Sequence, residues 1–461
     1  MTLKEAAEAV NGELTPATAT GVIRGVTTDS RAVSPDDLFV ALAGEKFDGH
    51  DFVAATARAG AACALLHKVL PENPGIPVIR VADTRLALGK LAGWWRDRFR
   101  GRLVALTGSN GKTTVKEMTA AILRTACDDD AAVLATEGNF NNDIGMPLTL
   151  LKLRERHHFA VIEMGMNHLG EIDYLSRIAR PDAALINNAH RAHVGELGSV
   201  ANIARAKGEI FAGLKADGVA LINADDAFAD YWSKQAAGRK QIGFGIHNGA
   251  VRAEYSETGA GSEIRFATPR GDIGTTLRVP GEHNVYNATA ACAIAVALDV
   301  SPDAIARGLA AYPGTKGRLQ RKTGLHGAVV IDDTYNANPD SMAAAVAVLA
   351  KAAGRKIFVM GDMGELGPDA AAMHAEIGTL ARGAGIDTLL AMGDQSVQAV
   401  RAFGLGAEHF AEIVDLASVL RPLLNRDTTV LVKGSRFMRM ERVVEAITHH
   451  AQDPIGHTHA A

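Results

Sequence analysis

The sequence predicts an α/β protein of three domains. These are a small N-terminal α/β domain (residues 1–82), a central domain with a mostly parallel sheet (83–314) and a C-terminal Rossmann-like α/β domain (315–461). Three observations predict this. The 461-residue length suits about three separate cores. Short apolar runs alternate with segments of helical period through the middle and last thirds, the pattern of βαβ units covered on both faces. Polar clusters stand at the carboxyl ends of those runs, where open α/β sheets bind ligands.

The elements follow in order. Leu3–Val10 has the spacing of a short helix. Leu38–Leu42 reads as a strand, between the tetrad Thr28-Asp29-Ser30-Arg31 and a loop from Gly44 to His50. Asp83-Thr84 caps a helix to about Phe99, with Leu88, Leu91, Trp95 and Phe99 as its core stripe; the first domain boundary lies just before it. Central strands are expected at Leu103–Leu106, Ala132–Thr136, Phe159–Ile162, Ala183–Ile186 and Val219–Ile222, with a helix over Ile144–Leu153. From Val251 to Val279 an alternating, glycine-broken pattern predicts an inserted β-hairpin. Asn284–Leu298 returns to helix, and Ser301-Pro302 caps the next one. Pro313–Gly317 is a linker. Beyond it, strands are expected at Ala328–Ile331, Lys356–Val359, Thr388–Leu390 and Thr429–Val432.

Composition narrows the function classes. With 47 % apolar and 22 % charged residues the chain is globular. A net charge of −4 offers no electrostatic case for nucleic acid. The opening MTLKEAAEAVNGEL lacks the apolar segment of a signal peptide, and no uninterrupted run of about 18 apolar residues is present. A cytoplasmic monomer without membrane insertion is expected. Cys63, Cys127 and Cys292 lie far apart in apolar, alanine-rich contexts, as buried free thiols do. His449, His450, His457 and His459 fall in a polar tail and read as a frayed terminus.

The strongest motif is LVALTGSNGKTTV, Leu103–Val115. An apolar strand runs into Thr107-Gly108-Ser109-Asn110-Gly111. Lys112-Thr113-Thr114 then opens a helix with Val115, Met118, Ala121 and Ile122 on one face. Glycines let backbone N–H groups close around phosphate oxygens, and the helix N-terminus adds partial positive charge. Lys112 is placed to reach the β- and γ-phosphates of a nucleotide, and the Thr113 hydroxyl to bind Mg²⁺. The common pattern has glycine where this chain has Leu106. Here it stands at Gly108, giving T-G-x-x-G-K-T-T.

Other clusters admit two readings. Glu163 ends a strand beside the phosphate loop, as a second Mg²⁺ ligand or as a solvated carboxylate. His193 suits a second ion through a neutral imidazole, with His190 competing. Lys207 has the pattern of a surface lysine on an amphipathic helix. Asp29, Ser30 and Arg31 could bind a polar ligand, yet residue chemistry alone favours a capped turn. In the last domain the strand-end clusters are Asp332–Asn336, Gly361–Glu365 and Lys433–Arg436.

Together these motifs resemble the Mur ligase family. TGSNGKTT, EMG after a strand, NNAHRAHVGELGS, AKGEIF, PGEHNVYNATAACAIA and DDTYNANPDSM occur in the family's order, and the resemblance runs from TTDSR to KGSRFMRME. It implies an ATP-dependent ligase that activates a carboxylate as an acyl phosphate and passes it to an amine. TEGNFNNDIGMPLTLL, DDTYNANPDSM and MGDMGELG resemble the branch whose substrates are UDP-N-acetylmuramoyl-tripeptide and D-alanyl-D-alanine. Asn338-Pro339-Asp340-Ser341 departs from the Asn-Pro-Arg of the branch that adds the third amino acid. The rival readings are a single amino acid as the amine, or a nucleotide-switched binding protein without ligation.

The resemblance also implies residue roles. Thr107, Gly108, Ser109, Asn110, Gly111, Lys112, Thr113 and Thr114 would hold the ATP phosphates, and Asn284 and Asn287 the adenine side. Arg318 would contact ATP as the last domain closes. Asp333, Tyr335, Asn336 and Asn338 would face the nucleotide or the dipeptide. Thr113 and Glu163 would bind one Mg²⁺ and His193 a second. Lys207 matches a lysine that several members carry as a carbamate. Lys112, Glu163, His193 and Lys207 form the catalytic set. Ser30, Arg31 and the loop bearing Gly44, Phe47, Asp48, Gly49 and His50 would hold the uridine diphosphate, which reverses the turn reading. Thr136, Asn139, Asn141 and Asn142 would contact the muramoyl-peptide.

Overall fold

A computed structural model describes residues 1–192, 194–258 and 261–448. His193 and the four late histidines lie outside the described residues. Three sheets organise the chain. The first has five strands in the order Glu13–Thr15, Val78–Arg80, Cys63–Leu66, Asp37–Val40 and Gly25–Thr27, parallel except for the first pair. Leu3–Val10 is a helix as expected, closed at its start by a Thr2–Glu5 capping box.

The central sheet has nine strands. Its order is Ile273–Leu277, Gly261–Ala267, Val251–Thr258, Lys240–Gly245, Val219–Asn223, Ala183–Ile186, Arg102–Thr107, Phe159–Glu163 and Val133–Ala135. Seven neighbouring strands, from Val251–Thr258 to Val133–Ala135, are parallel. Val251–Thr258 pairs in parallel with Lys240–Gly245, and the antiparallel strands beyond it extend the same sheet. The expectation of an inserted hairpin is corrected by one turn. Asp225 accepts the N–H groups of Ile246, His247 and Asn248 at 2.7, 2.9 and 2.8 Å, folding that segment back alongside its own sheet. The expected helix over Ile144–Leu153 is shorter, Gly145–Leu150.

The helix after Asp83 spans Thr84–Arg96, ending before Phe99 because Arg96 turns inward. Its Nε donates to Ala179 O at 2.8 Å and its guanidinium pairs with Asp182 at 3.3 Å. Leu88 and Leu91 of this helix belong to one apolar core shared with Leu3, Leu38 and Leu65 of the first sheet and Leu103 and Ile162 of the central one. The boundary helix therefore joins the two units instead of separating them. Cys63 and Cys292 are buried free thiols, while Cys127, expected to be buried, is only half-buried at the end of its helix.

The last sheet has six strands, in the order Gln320–Thr323, Val329–Asp333, Thr428–Lys433, Arg355–Gly361, Thr388–Met392 and Ala407–Phe410. Only the first is antiparallel. Among the described residues no helix is long and apolar enough to cross a membrane.

The helix that opens at Lys112 runs to Cys127 and is backed by the helix Pro302–Ala311. A Cβ on Gly308 would stand 2.5 Å from Ile122 Cα, so the two backbones are in direct contact. Gly308→Ala is expected to destabilise the protein by about 1–3 kcal/mol through overpacking against backbone that has nowhere to go. A urea midpoint indistinguishable from wild type would contradict that contact.

Candidate functional site

The strand Arg102–Thr107 is buried beyond its first residue and lies between Phe159–Glu163 on one side and Ala183–Ile186 on the other. Both neighbours deliver polar residues to the loop that follows. Gly111 enters the helix at φ +79, and a Cβ there would sit 2.2 Å from Asn287 Oδ1. The loop's carbonyls are bonded within the protein. Lys112 Nζ donates to Gly108 O at 2.8 Å, and the side-chain amides of Asn187 and Asn188 donate to Asn110 O at 2.9 and 3.2 Å. Asn110 N–H donates to Asn188 Oδ1 at 2.8 Å, and Ser109 Oγ both accepts His190 N–H (2.9 Å) and donates to His190 O (3.1 Å). The first helical bond is Val115 N–H to Gly111 O. The N–H groups of Gly111, Lys112, Thr113 and Thr114 make no bond among the described residues, leaving four donors at a helix start for an anion.

Glu163 is 2 % exposed. Its Oε1 accepts from Asn141 Nδ2 at 2.8 Å, whereas its buried Oε2 has no hydrogen-bond partner among the described residues. Its backbone N–H donates to Thr136 Oγ1 at 3.0 Å, so the Thr136 hydroxyl serves Glu163. Thr136 O in turn accepts from Lys116 Nζ at 2.5 Å. Lys116, 1 % exposed, was not singled out by sequence, because a lysine one turn into a helix looks like any solvated one. Thr113 is buried in the first turn. A buried carboxylate oxygen at the end of the strand beside the phosphate loop and a threonine in that loop's first helical turn are the oxygen donors that suit a hard divalent cation. No group of three or more His, Cys, Asp or Glu among the described residues could hold a metal by itself. Phosphate oxygens and water have to complete such a shell.

Lys207 overturns its surface reading. It sits in the last turn of the helix Val200–Gly208, is 2 % exposed, and has no hydrogen-bond partner among the described residues. Burial, with the Lys112 charge second, drives its pKa well below the usual lysine value. Burial also lowers the pKa of Lys112, and the Glu163 carboxylate partly offsets this.

A cavity of about 400 Å³ lies between the central and last sheets, lined among others by Asn110, Asn284, Tyr286, Arg318, Asp333 and Ser341, within the usual range for ligand sites. Asn187, Asn287 and Asn284 form a chain of side-chain amides, at 3.0 and 3.2 Å, along one wall. On the other, the Arg318 guanidinium stacks 4.1 Å from the Tyr335 ring centre. Asp333 accepts from Lys433 Nζ at 2.6 Å, and Lys433 also donates to Asn336 O at 2.9 Å. Asn338 caps the helix Pro339–Ala350 and reaches across to Asn110 Oδ1 at 2.7 Å. Further contacts clamp the last unit to the central one. Arg191 pairs with Asp340 (3.0 Å) and Glu376 (2.8 Å), Lys351 with Glu257 (2.5 Å), and Gly195 N–H donates to Glu365 O at 2.9 Å. Sequence reasoning gave Arg191, Asp340 and Lys433 no individual role; the first two meet across the domains, and Lys433 pairs with Asp333 within the last one.

The remaining candidates sit elsewhere, and none lines this cavity. Arg31 is bound through Nε and Nη2 to Asp29 at 2.9 and 2.8 Å, and its N–H closes a turn onto Asp29 Oδ1 at 2.9 Å. Ser30 is half-buried beside it. Locally this is the capped turn that residue chemistry favoured. In the next loop Gly44 N–H bonds Phe47 O at 2.9 Å, Gly49 abuts the backbone of Leu42, and Asp48 holds His50 Nδ1 at 2.6 Å. Phe47 is 76 % exposed. Asn142 accepts Gly145 N–H at 2.8 Å, and Asn139 is exposed.

Three family models match the chain: the Mur ligase catalytic domain over 22–95, the Mur ligase middle domain over 106–295 and the Mur ligase glutamate ligase domain over 317–436. The chain belongs to the Mur ligase family. It is 45 % identical to the UDP-N-acetylmuramoyl-tripeptide–D-alanyl-D-alanine ligase of Escherichia coli K12, over 97 % of this chain and 98 % of that one. A MurF crystal structure from Acinetobacter baumannii superposes with a TM-score of 0.90 at 38 % identity, covering 96 % of this chain and 98 % of that one. MurF ligase from Thermotoga maritima, solved in complex with ADP, superposes with a TM-score of 0.81 at 26 % identity, covering 92 % and 96 %. This Mur ligase is thus seen with its last domain in contact with the phosphate loop.

Arg191 carries two of the charged links across that contact. Arg191→Ala is expected to increase the radius of gyration in small-angle scattering of the free protein. The Glu376 partner has its pKa lowered by Arg191. The ion pair therefore contributes fully above the ordinary glutamate pKa and fades as pH falls through the depressed one. Scattering curves that match wild type would show that other contacts suffice.

Proposed function

We propose that this Mur ligase joins D-alanyl-D-alanine to UDP-N-acetylmuramoyl-tripeptide, driven by ATP, in the cytoplasm. The observation that carries the reading is the loop with four open amides beside the orphaned Glu163 oxygen, in a chain alike over nearly its whole length to ligases of that name. A carboxylate is a poor acyl donor because its leaving group is poor. Transfer of the γ-phosphoryl group of ATP turns it into an acyl phosphate, a step that needs mainly positioning and charge neutralisation.

Each group then has a task. The Gly111–Thr114 amides and Lys112 hold the phosphates, and Lys112 meets charge that grows on the transferring group. Mg²⁺ held by Thr113 and Glu163, with a second ion on the His193 side, would supply further neutralisation of that charge. Asn141 and Thr136 keep Glu163 oriented. Arg318, stacked on Tyr335, is aimed into the nucleotide cavity with its Nε unbonded. Burial lowers the Lys207 pKa and so favours the neutral amine, the form that adds carbon dioxide to give a carbamate anion. The N-terminal unit, with Ser30, Arg31 and the Gly44–His50 loop, would take the uridine diphosphate end, and Asn139 and Asn142 the muramoyl-peptide. Docking of the last domain keeps water from the acyl phosphate.

The test is phosphate release with Mg²⁺-ATP and UDP-N-acetylmuramoyl-tripeptide, with and without D-alanyl-D-alanine. Turnover only with the dipeptide is expected; turnover with a single amino acid and its shorter acceptor would move the step within the family. Lys112→Ala should lower turnover by at least about 100-fold, and a loss of only a few-fold would contradict the clamp. Lys207→Ala should regain activity with small carboxylates such as formate or acetate. Near-normal activity without rescue would retire the carbamate.

A further inference from the structure

Lys116 lies one turn beyond Lys112 on the helix Lys112–Cys127 and is 1 % exposed. Its Nζ donates to Thr136 O at 2.5 Å and pairs with Glu117 at 2.7 Å. Thr136 is itself buried. It follows Val133–Ala135, the three-residue strand at one end of the central sheet, whose neighbour is Phe159–Glu163. Thr136 N–H makes the last regular bond of that ladder, to Val161 O at 3.0 Å. In an unbroken parallel ladder the next bond would run from Glu163 N–H to Thr136 O. Here Lys116 holds that carbonyl, and Glu163 N–H goes to the Thr136 hydroxyl at 3.0 Å. The ladder stops one bond early, and the chain departs into the loop that carries Asn141. Asn141 then returns to the same strand end. Its Nδ2 donates to Glu163 Oε1 at 2.8 Å, and its O accepts Gly165 N–H at 2.9 Å. A Cβ on Gly165 would stand 2.9 Å from Asn141 Oδ1, so the fit there is close.

We propose that Lys116 is a positioning residue for the Glu163 carboxylate: by ending the strand at Thr136 it directs the loop so that Asn141 occupies Oε1 and leaves the buried Oε2 for the cation. The inference rests on the Mg²⁺ role given to Glu163 under Proposed function. A buried lysine one turn from the phosphate loop also suits a further phosphate ligand, but its two partners are Thr136 O and Glu117, a strand end and its own helix. Without the Lys116 amine, the Thr136 carbonyl is free to accept Glu163 N–H. The ladder gains that bond, the hydroxyl loses it, and the backbone from which Asn141 reaches Glu163 shifts. Removal of Lys116 thus exchanges one hydrogen bond for another at small cost to the fold, while the carboxylate loses its orientation. Groups that orient a ligand in this way set the affinity for the metal.

The test is the affinity of the ADP-bound protein for Mn²⁺, a paramagnetic substitute for Mg²⁺, measured by electron paramagnetic resonance without turnover. Wild type is compared with Lys116→Met, Lys116→Arg, Thr136→Val and Glu163→Gln, and ADP affinity in EDTA and the urea midpoint are measured alongside. Lys116→Met and Thr136→Val should each weaken Mn²⁺ binding by about 10-fold or more, with ADP affinity in EDTA unchanged. Because both act through Thr136, the double variant should lose no more than the weaker binder of the two singles. Lys116→Arg keeps a donor for Thr136 O and should recover most of the loss. Wild-type Mn²⁺ affinity in Lys116→Met, whatever its urea midpoint, would make the lysine a packing residue and overturn the proposal. If Lys116→Met does not fold, Thr136→Val decides, since it leaves Lys116 in place and removes the hydroxyl that serves Glu163; unchanged Mn²⁺ affinity there overturns the proposal as well. If Glu163→Gln binds Mn²⁺ as wild type does, the Mg²⁺ role of Glu163 fails and this inference with it. A loss in Glu163→Gln but not in Lys116→Met removes this inference alone.

Discussion

A polar turn that binds phosphate must satisfy its carbonyls inside the protein while leaving its N–H groups open, and much of this structure follows from that constraint. The loop after Thr107 meets it by borrowing from the strand beside it. Asn187 and Asn188, at the end of Ala183–Ile186, take Asn110 O and hold the turn from below. The strand on the opposite side ends in Glu163. A parallel sheet places these three strand ends at one edge, and so brings the open amides of the loop and the buried Glu163 carboxylate together from residues far apart in sequence. Gly111 is obligatory for two reasons at once, its φ and the 2.2 Å approach of Asn287 Oδ1.

The same site concentrates buried positive charge. Burial lowers the pKa of Lys112, Lys207 and Lys433 alike. Lys433 is partly compensated by Asp333 at 2.6 Å, and Lys112 by Glu163. At Lys207 the like charge of Lys112 adds to the effect of burial, so its pKa is lowered well below the ordinary lysine value. Equal burial thus meets different surroundings: a carboxylate that acts on Lys112, an ion pair at Lys433, and another lysine's charge at Lys207.

How far all this was legible in the sequence depended on how local each signal was. Ala183–Ile186 is a strand over its expected residues, and the other expected parallel strands of the central sheet differ by a residue or two, because buried parallel strands are continuous apolar runs; Lys240–Gly245, which begins on polar residues, was missed. The strands Glu13–Thr15, Gly25–Thr27 and Val78–Arg80 passed unnoticed; each has three residues, too few to show a period. The Val251–Leu277 meander was read correctly as β but detached from its sheet, since the Asp225 turn that attaches it is a tertiary contact. The strand, glycine turn and helix of the Leu103–Val115 motif and the strand that ends at Glu163 were legible because each signal is local. The burial of Lys116 and Lys207 was not, because no pattern within a helix says which face the rest of the fold will cover.

The domain contact follows the same economy of prior order. Asn338 Oδ1 accepts Ser341 N–H at 2.9 Å to cap its own helix, and that fixed side chain offers its Nδ2 to Asn110 Oδ1 at 2.7 Å. Glu365 offers a carbonyl from a loop already pinned by His374 and Ser435, and Gly195 meets it with backbone alone. Side chains frozen before docking lose little entropy on docking. Contacts made from pre-ordered groups are well directed without having to be strong. The ordering is done within each domain, where it also stabilises the fold, so the interface itself can remain weak enough to release.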